Sequence, residues 1–168
     1  MKQTRILKGV VVAAILVGAV FLFARQGPKN IDPTPAPSWA LKDLAGEMVE
    51  SSEFDGKVVV LNFWATWCPP CRMEIPGFID LQKEYEEEGL VIIGVSLDEA
   101  GPDVVAEFSE SMGINYPIVM ADMRITGAYG GIRVLPTTYI IDREGNIRNT
   151  HVGYLRRGPL EKMIKPLL

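Results

Sequence analysis

The sequence predicts a mixed α/β sheet flanked by helices. Three observations carry that prediction: two nearly unbroken apolar, β-branched runs at residues 57–63 and 90–96, a helical pattern after each, and two β-rich segments closing around residues 142–145. Strands buried on both faces read as near-continuous apolar runs, and such strands lie in parallel sheets covered by helices. Strands that alternate with helices and end in an antiparallel pair make a mixed sheet. With 168 residues, 48% apolar and 23% charged, the chain can bury one ordinary core, which excludes disordered, collagenous and disulfide-stapled classes.

The elements follow in order. Residues 1–5 are short and basic, and residues 6–24 are apolar apart from Lys8, whose amine can snorkel to the headgroups. As a helix this stretch reaches about 28 Å, enough to span a bilayer. The competing reading is a cleaved signal sequence, but Val20-Phe21-Leu22-Phe23-Ala24 is bulky where cleavage needs small residues. Lys2, Arg5 and Lys8 before the span outnumber Arg25 and Lys29 after it, so residues 1–5 should stay cytoplasmic and the globular part face outward. Residues 25–37, with prolines at 28, 33, 35 and 37, predict an extended spacer, and residues 38–168 the domain.

Within the domain, the first buried strand covers residues 57–63. A helix follows from the Cys68-Pro69-Pro70-Cys71 segment to about Glu88, with Pro76 expected to kink it and Gly89 to stop it. Its Glu84–Glu88 run reads as a solvated face. The second strand, residues 90–96, precedes a helix over residues 102–112 with Pro102 in its first turn. A strand near residues 116–119, a short helix near 122–129, a hairpin of 137–141 with 146–152 and a closing helix at 158–168 complete the pattern.

Charge and cysteine usage narrow the function. The first 25 residues hold four basic groups and no acid, leaving 13 basic against 21 acidic residues in the remainder. Such an acidic body excludes a nucleic-acid backbone binder. Cys68 and Cys71 are the only cysteines and His151 the only histidine, so a complete zinc site is missing and no metal is assigned. His151 reads as a structural or surface residue.

The Cys-x-x-Cys pair lies between a buried strand and a helix, which sets Cys68 at the helix N-terminus, where free N–H groups and the dipole favour a thiolate. Two intervening residues on a helical turn bring the sulfurs within bonding reach. Cys68 is then the exposed nucleophile and Cys71, one turn inside, the resolving thiol. Two inert core cysteines or half of a metal site are the alternatives.

Phe63-Trp64-Ala65-Thr66-Trp67-Cys68-Pro69-Pro70-Cys71 after a buried strand resembles the active-site segment of thioredoxin-like proteins, and Val134-Leu135-Pro136-Thr137-Thr138-Tyr139 resembles that fold's cis-proline segment. With the apolar N-terminus, the match is closest to the ResA and TlpA group of extracytoplasmic thiol-disulfide oxidoreductases, over about residues 36–168. The resemblance implies a thioredoxin-like sheet, with an added strand and helix filling the 65-residue interval between Cys71 and Pro136. It implies a cis Pro136, a Leu135 backbone offered to a substrate strand, and Trp67 packed beside Cys68 unless it merely fills the core. Pro69 and Pro70 would border the same substrate site.

Glu74 lies one turn after Cys71, and the resemblance gives a glutamate at this spacing a place beside the dithiol. Thioredoxins instead carry a buried aspartate in the preceding strand, where this chain has Asn62, which accepts no proton. Glu74 is therefore assigned as the proton acceptor for Cys71, with a pKa raised by burial; a solvated helix carboxylate is the plainer reading. The group's usual acidic residue between the cysteines is replaced here by Pro69-Pro70, which points to a reductant. The implied role is reduction of extracytoplasmic protein disulfides, apocytochrome c thiols among them. A membrane thiol-disulfide donor would recharge the pair, and no cofactor is expected beyond the Cys68–Cys71 disulfide. A copper chaperone on the same scaffold and a peroxiredoxin-like peroxidase are the alternatives. Against the first stands the two-residue cysteine spacing; against the second stands Ala65, where peroxiredoxins have threonine.

Overall fold

A computed structural model describes residues 34–168; the predicted anchor at residues 6–24 lies outside the described residues. Among the described residues, no helix is long and apolar enough to cross a membrane. The elements in chain order are β1 (Thr34–Pro35), β2 (Ala40–Lys42), β3 (Met48–Glu50), β4 (Val58–Trp64), α1 (Pro69–Tyr85), β5 (Leu90–Ser96), α2 (Pro102–Met112), β6 (Ile118–Met120), α3 (Met123–Ala128), β7 (Thr137–Ile141), β8 (Asn146–Val152) and α4 (Arg157–Ile164).

Six strands form one sheet in the order β1-β8-β7-β4-β5-β6, and β2 and β3 form a separate hairpin. β4, β5 and β6 run parallel, whereas β7 is antiparallel to β4 and β8 to β7. β4 and β5 occupy the centre, with all seven residues of each buried. The two-residue period of β4 sends Val58 and Val60 to one face and Val59, Leu61 and Phe63 to the other. On the first face they meet Phe78 and Leu81 of α1 and Leu160 and Ile164 of α4. On the second they meet Leu41 of the hairpin and Ile125 of α3, with Tyr129 just beyond it.

Several expectations shift. Residues 34–37, assigned to the spacer, belong to the fold: Thr34 pairs with Ile147, and Ala36 N–H donates to Gly145 O at 2.9 Å. The β2–β3 hairpin was not foreseen, because its strands are three residues long with exposed ends, too short to show a period. α1 continues through Pro76 without ending, then tightens into a 3₁₀ turn at Glu86–Glu88 before Gly89, whose φ of 91° needs glycine. The closing helix is α for Arg157–Ile164 and 3₁₀ for Lys165–Leu167. α2 and β6 are the helix and strand expected in the interval before Pro136, and they carry the sheet to its far edge.

Candidate active site

β4 ends at Trp64 and the chain turns over four residues into α1. Cys68 is the N-cap: its backbone is extended, and its Sγ accepts the Cys71 N–H at 3.3 Å. Pro69 and Pro70 occupy the first helical positions, where a missing N–H costs nothing. Cys68 and Cys71 are joined as a disulfide, with Cα atoms 5.3 Å apart. Cys71 is fully buried, while Cys68, expected to be exposed, keeps 4% of its surface. The order of access stands, but only a sliver of the outer sulfur's residue meets solvent.

Cys71, Glu74, Ile75 and Phe78 recur at helical spacing and form the buried stripe of α1. Glu74 is thus drawn inside, 2% exposed. Its Oε1 accepts from Asn62 Nδ2 at 2.8 Å and its Oε2 from the Leu155 backbone N–H at 3.1 Å. Burial raises its pKa to about 7, against the lowering effect of these two donors. Asn62 lies on the α1 side of β4, and its Nδ2 also donates to Thr138 Oγ1 at 3.0 Å, directly across the strand pair. Tyr116 sits behind, its hydroxyl pKa pushed up by burial and then by the charge of Glu74. The solvated-carboxylate reading of Glu74 is set aside by this enclosure, whereas Glu84 and the 3₁₀ turn at Glu86–Glu88 are exposed as expected.

The second predicted segment arrives at the same end of the sheet, since Thr137 pairs with Phe63. The Leu135–Pro136 peptide is cis, and Leu135 packs against the cluster holding both cysteines. Pro136 is buried and its carbonyl accepts from Gly153 N–H at 2.8 Å. Pro69 is exposed and Pro70 half-buried. Trp67 is 66% exposed, so it stands on the rim; Trp64, 2% exposed, is the tryptophan that fills the core. Gly94 makes room for it, since a Cβ there would lie 2.8 Å from the indole Nε1. His151 is half-buried in β8, its Nε2 3.3 Å from the Tyr154 carbonyl oxygen.

A feature missed from sequence supports the loop before Cys68. Asp98, 7% exposed, accepts from Thr66 N–H at 2.9 Å, from the Thr66 hydroxyl, and from Ser96 Oγ at 2.8 Å. Thr66 lies in the connection after β4, Ser96 ends β5 and Asp98 follows it, so they meet only because β4 and β5 are paired. Asp98→Ala leaves buried donors without an acceptor, and it should destabilise the protein by about 1–3 kcal/mol. Urea unfolding checks this; an unchanged midpoint would contradict it.

Residues 33–150 match the AhpC/TSA family. A ResA thiol-disulfide oxidoreductase from Bacillus thuringiensis (strain Al Hakam) is 34% identical over 99% of both chains. Another, from Halalkalibacterium halodurans, is 41% identical over 78% of this chain and 76% of its own. The crystal structure of a thiol:disulfide interchange protein from Chlorobium tepidum TLS superposes with a TM-score of 0.76 at 34% identity, covering 82% of this chain and 98% of that one. The chain therefore belongs to the AhpC/TSA family, as a thioredoxin-like member of its ResA-type thiol-disulfide oxidoreductases.

Proposed function

We propose that this chain is a membrane-tethered reductant, whose domain faces the extracytoplasmic side and reduces protein disulfides there, apocytochrome c Cys-x-x-Cys-His pairs among them. The observation that carries the reading is the Cys68–Cys71 disulfide capping α1 beside a buried glutamate whose pKa lies at about 7. In the cycle, the reduced Cys68 thiolate attacks a substrate sulfur and releases one substrate thiol. Cys71, deprotonated with Glu74 as acceptor, then attacks the Cys68 sulfur and releases the second. Two electrons pass to the substrate, and the Cys68–Cys71 disulfide returns. A membrane thiol-disulfide donor restores the dithiol, so the disulfide itself is the redox group. The cis Leu135–Pro136 bond and the packing of Leu135 against the cysteine cluster support a substrate strand pairing beside the sulfurs. The apolar residues 6–24 after a basic start support the tether.

The direction of electron flow rests on the first turn of α1. Pro69 and Pro70 have no N–H, and the Cys71 amide donates to Cys68 Sγ in its place. No charged group lies between the cysteines. One means of stabilising a Cys68 thiolate is therefore absent, and a strong oxidant needs a very stable thiolate. Redox titration of the full-length chain in non-ionic detergent, read by alkylation mass shift, should give a potential more negative than about −250 mV. A value near about −120 mV would make the protein an oxidant instead.

A further inference from the structure

The end of the sheet that carries Cys68 also carries the start of β7 and the end of β8, because Phe63 pairs with Thr137 and Thr137 with Val152. Five apolar side chains lie open on the segments gathered there: Trp67 at 66%, Met73 at 62%, Val152 at 57%, Val134 at 52% and Tyr154 at 37% exposure. Interleaved with them in sequence are three exposed arginines, Arg72, Arg133 and Arg156. Among the described residues none of the three joins an ion pair, whereas Arg124, Arg148 and Arg157 each pair with a carboxylate. Arg143 gives its donors to the backbone carbonyls of Gly56, Glu88 and Leu168. Two of the three are instead seated on aromatic rings, with Arg72 Cζ 5.3 Å from the Phe108 centroid and Arg156 Cζ 6.0 Å from that of Tyr154. Stacking fixes a guanidinium while leaving its in-plane N–H fork unspent.

These unspent cations stand out in a chain with 21 acidic against 17 basic residues. The exposed carboxylates at this end, Glu99 and Asp103, belong to the β5–α2 connection and the first turn of α2. They lie across β4 from the connections bearing Arg133 and Arg156, whereas Arg72 sits on Phe108 of α2, the helix that carries Asp103. We propose that the protein segment presenting its disulfide to Cys68 carries carboxylates beside its cysteine, which meet Arg72, Arg133 and Arg156 while apolar neighbours cover Trp67, Met73 and Val134. Arginine forks hold carboxylates in bidentate pairs, and an arginine-lined rim raises the encounter rate with an acidic partner. The inference rests on the thiol-disulfide reading above and names the chemistry of its partner.

The test uses the reduced full-length chain in non-ionic detergent at low ionic strength. Its substrates are two disulfide-linked peptides identical except for Glu or Lys on either side of each cysteine, with uncharged hydroxyethyl disulfide as reference. Relative to the reference, the Glu peptide should be reduced about tenfold faster than the Lys peptide, and the gap should close in high salt. The double variant Arg133→Glu, Arg156→Glu should invert the preference. Equal rates for the two peptides, or a preference unmoved by the double variant, overturn the inference while leaving the oxidoreductase reading intact. No reaction with any of the three disulfides overturns that reading and this one with it.

Discussion

A Cys71→Ser chain is expected to attack one disulfide and stop. Cys68 has the only exposed surface of the pair, 4% against none for Cys71, so the first bond to a substrate is expected there. Its release needs a second thiol from the first turn of the same helix, and serine offers a poor nucleophile in a closed site. Multiple-turnover reduction should fall by about a thousandfold or more, while an adduct linked through Cys68 accumulates. Non-reducing electrophoresis with mass mapping of the adduct reads both effects. Turnover by Cys71→Ser near the rate of the parent chain would show that Cys71 is not the resolving thiol. A Cys68→Ser chain that forms the adduct through Cys71 would reverse the assigned order.

The second large effect is expected at Glu74. Cys71 has no exposed surface, so its proton needs an acceptor inside the protein, and Glu74 follows one turn later on the same buried stripe. A base with a pKa of about 7 is matched to neutral pH. Glu74→Gln keeps the shape but cannot take the proton, and one of its amide hydrogens must face either Asn62 Nδ2 or the Leu155 N–H. Stopped-flow resolution of a preformed Cys68 mixed disulfide should slow by about a hundredfold. In the parent chain the rate should rise with pH through about 7 as the carboxyl loses its proton. In the variant that step should vanish, leaving only the thiol's own titration at higher pH. An unchanged rate and profile would remove Glu74 from the proton path.

Stability carries the same signature with the opposite sign. The carboxyl pKa rises from 4.5 when unfolded to about 7 when folded, so the native state holds its proton more tightly. Stability is therefore fullest below pH 4.5 and is lost as pH rises through 7, by about 3 kcal/mol in total. Urea titrations at pH 5 and pH 8 should show that slope in the parent chain and a flatter one in Glu74→Gln.

Much of this arrangement is legible in the amino-acid order. The runs at residues 57–63 and 90–96 read as central strands, because a wet face would have placed a polar residue at every second position, and only Asn62 breaks the first run after Lys57. β5, α2, β7 and β8 start and end where their patterns do, since each is bounded by glycine, proline or a turn. The Cys-x-x-Cys segment was readable at a helix start, while the resemblance alone set Val134-Leu135-Pro136 beside it. Glu74 was readable too, since its spacing from Cys71 is fixed by the helix that carries both.

What the chain order left open was decided by pairings between distant segments. Asn62 was visible as a polar residue in an apolar strand, but the acceptor of its amide hydrogens depends on β4 lying beside both β7 and α1. Asp98 and Thr66 are 32 residues apart, and their bond exists because β4 and β5 end at the same level. Trp64 and Trp67 are alike in sequence, yet one is buried and the other bare, because a strand residue faces a neighbouring layer and a loop residue faces solvent. Sequence by itself determined the strand-helix pattern, the dithiol and the helix it caps, for these follow from local periodicity and chain geometry. Only the tertiary structure determined which groups surround Glu74 and which arginines remain unpaired, because hydrogen bonds and ion pairs across the sheet depend on which residues packing brings within about 3 Å.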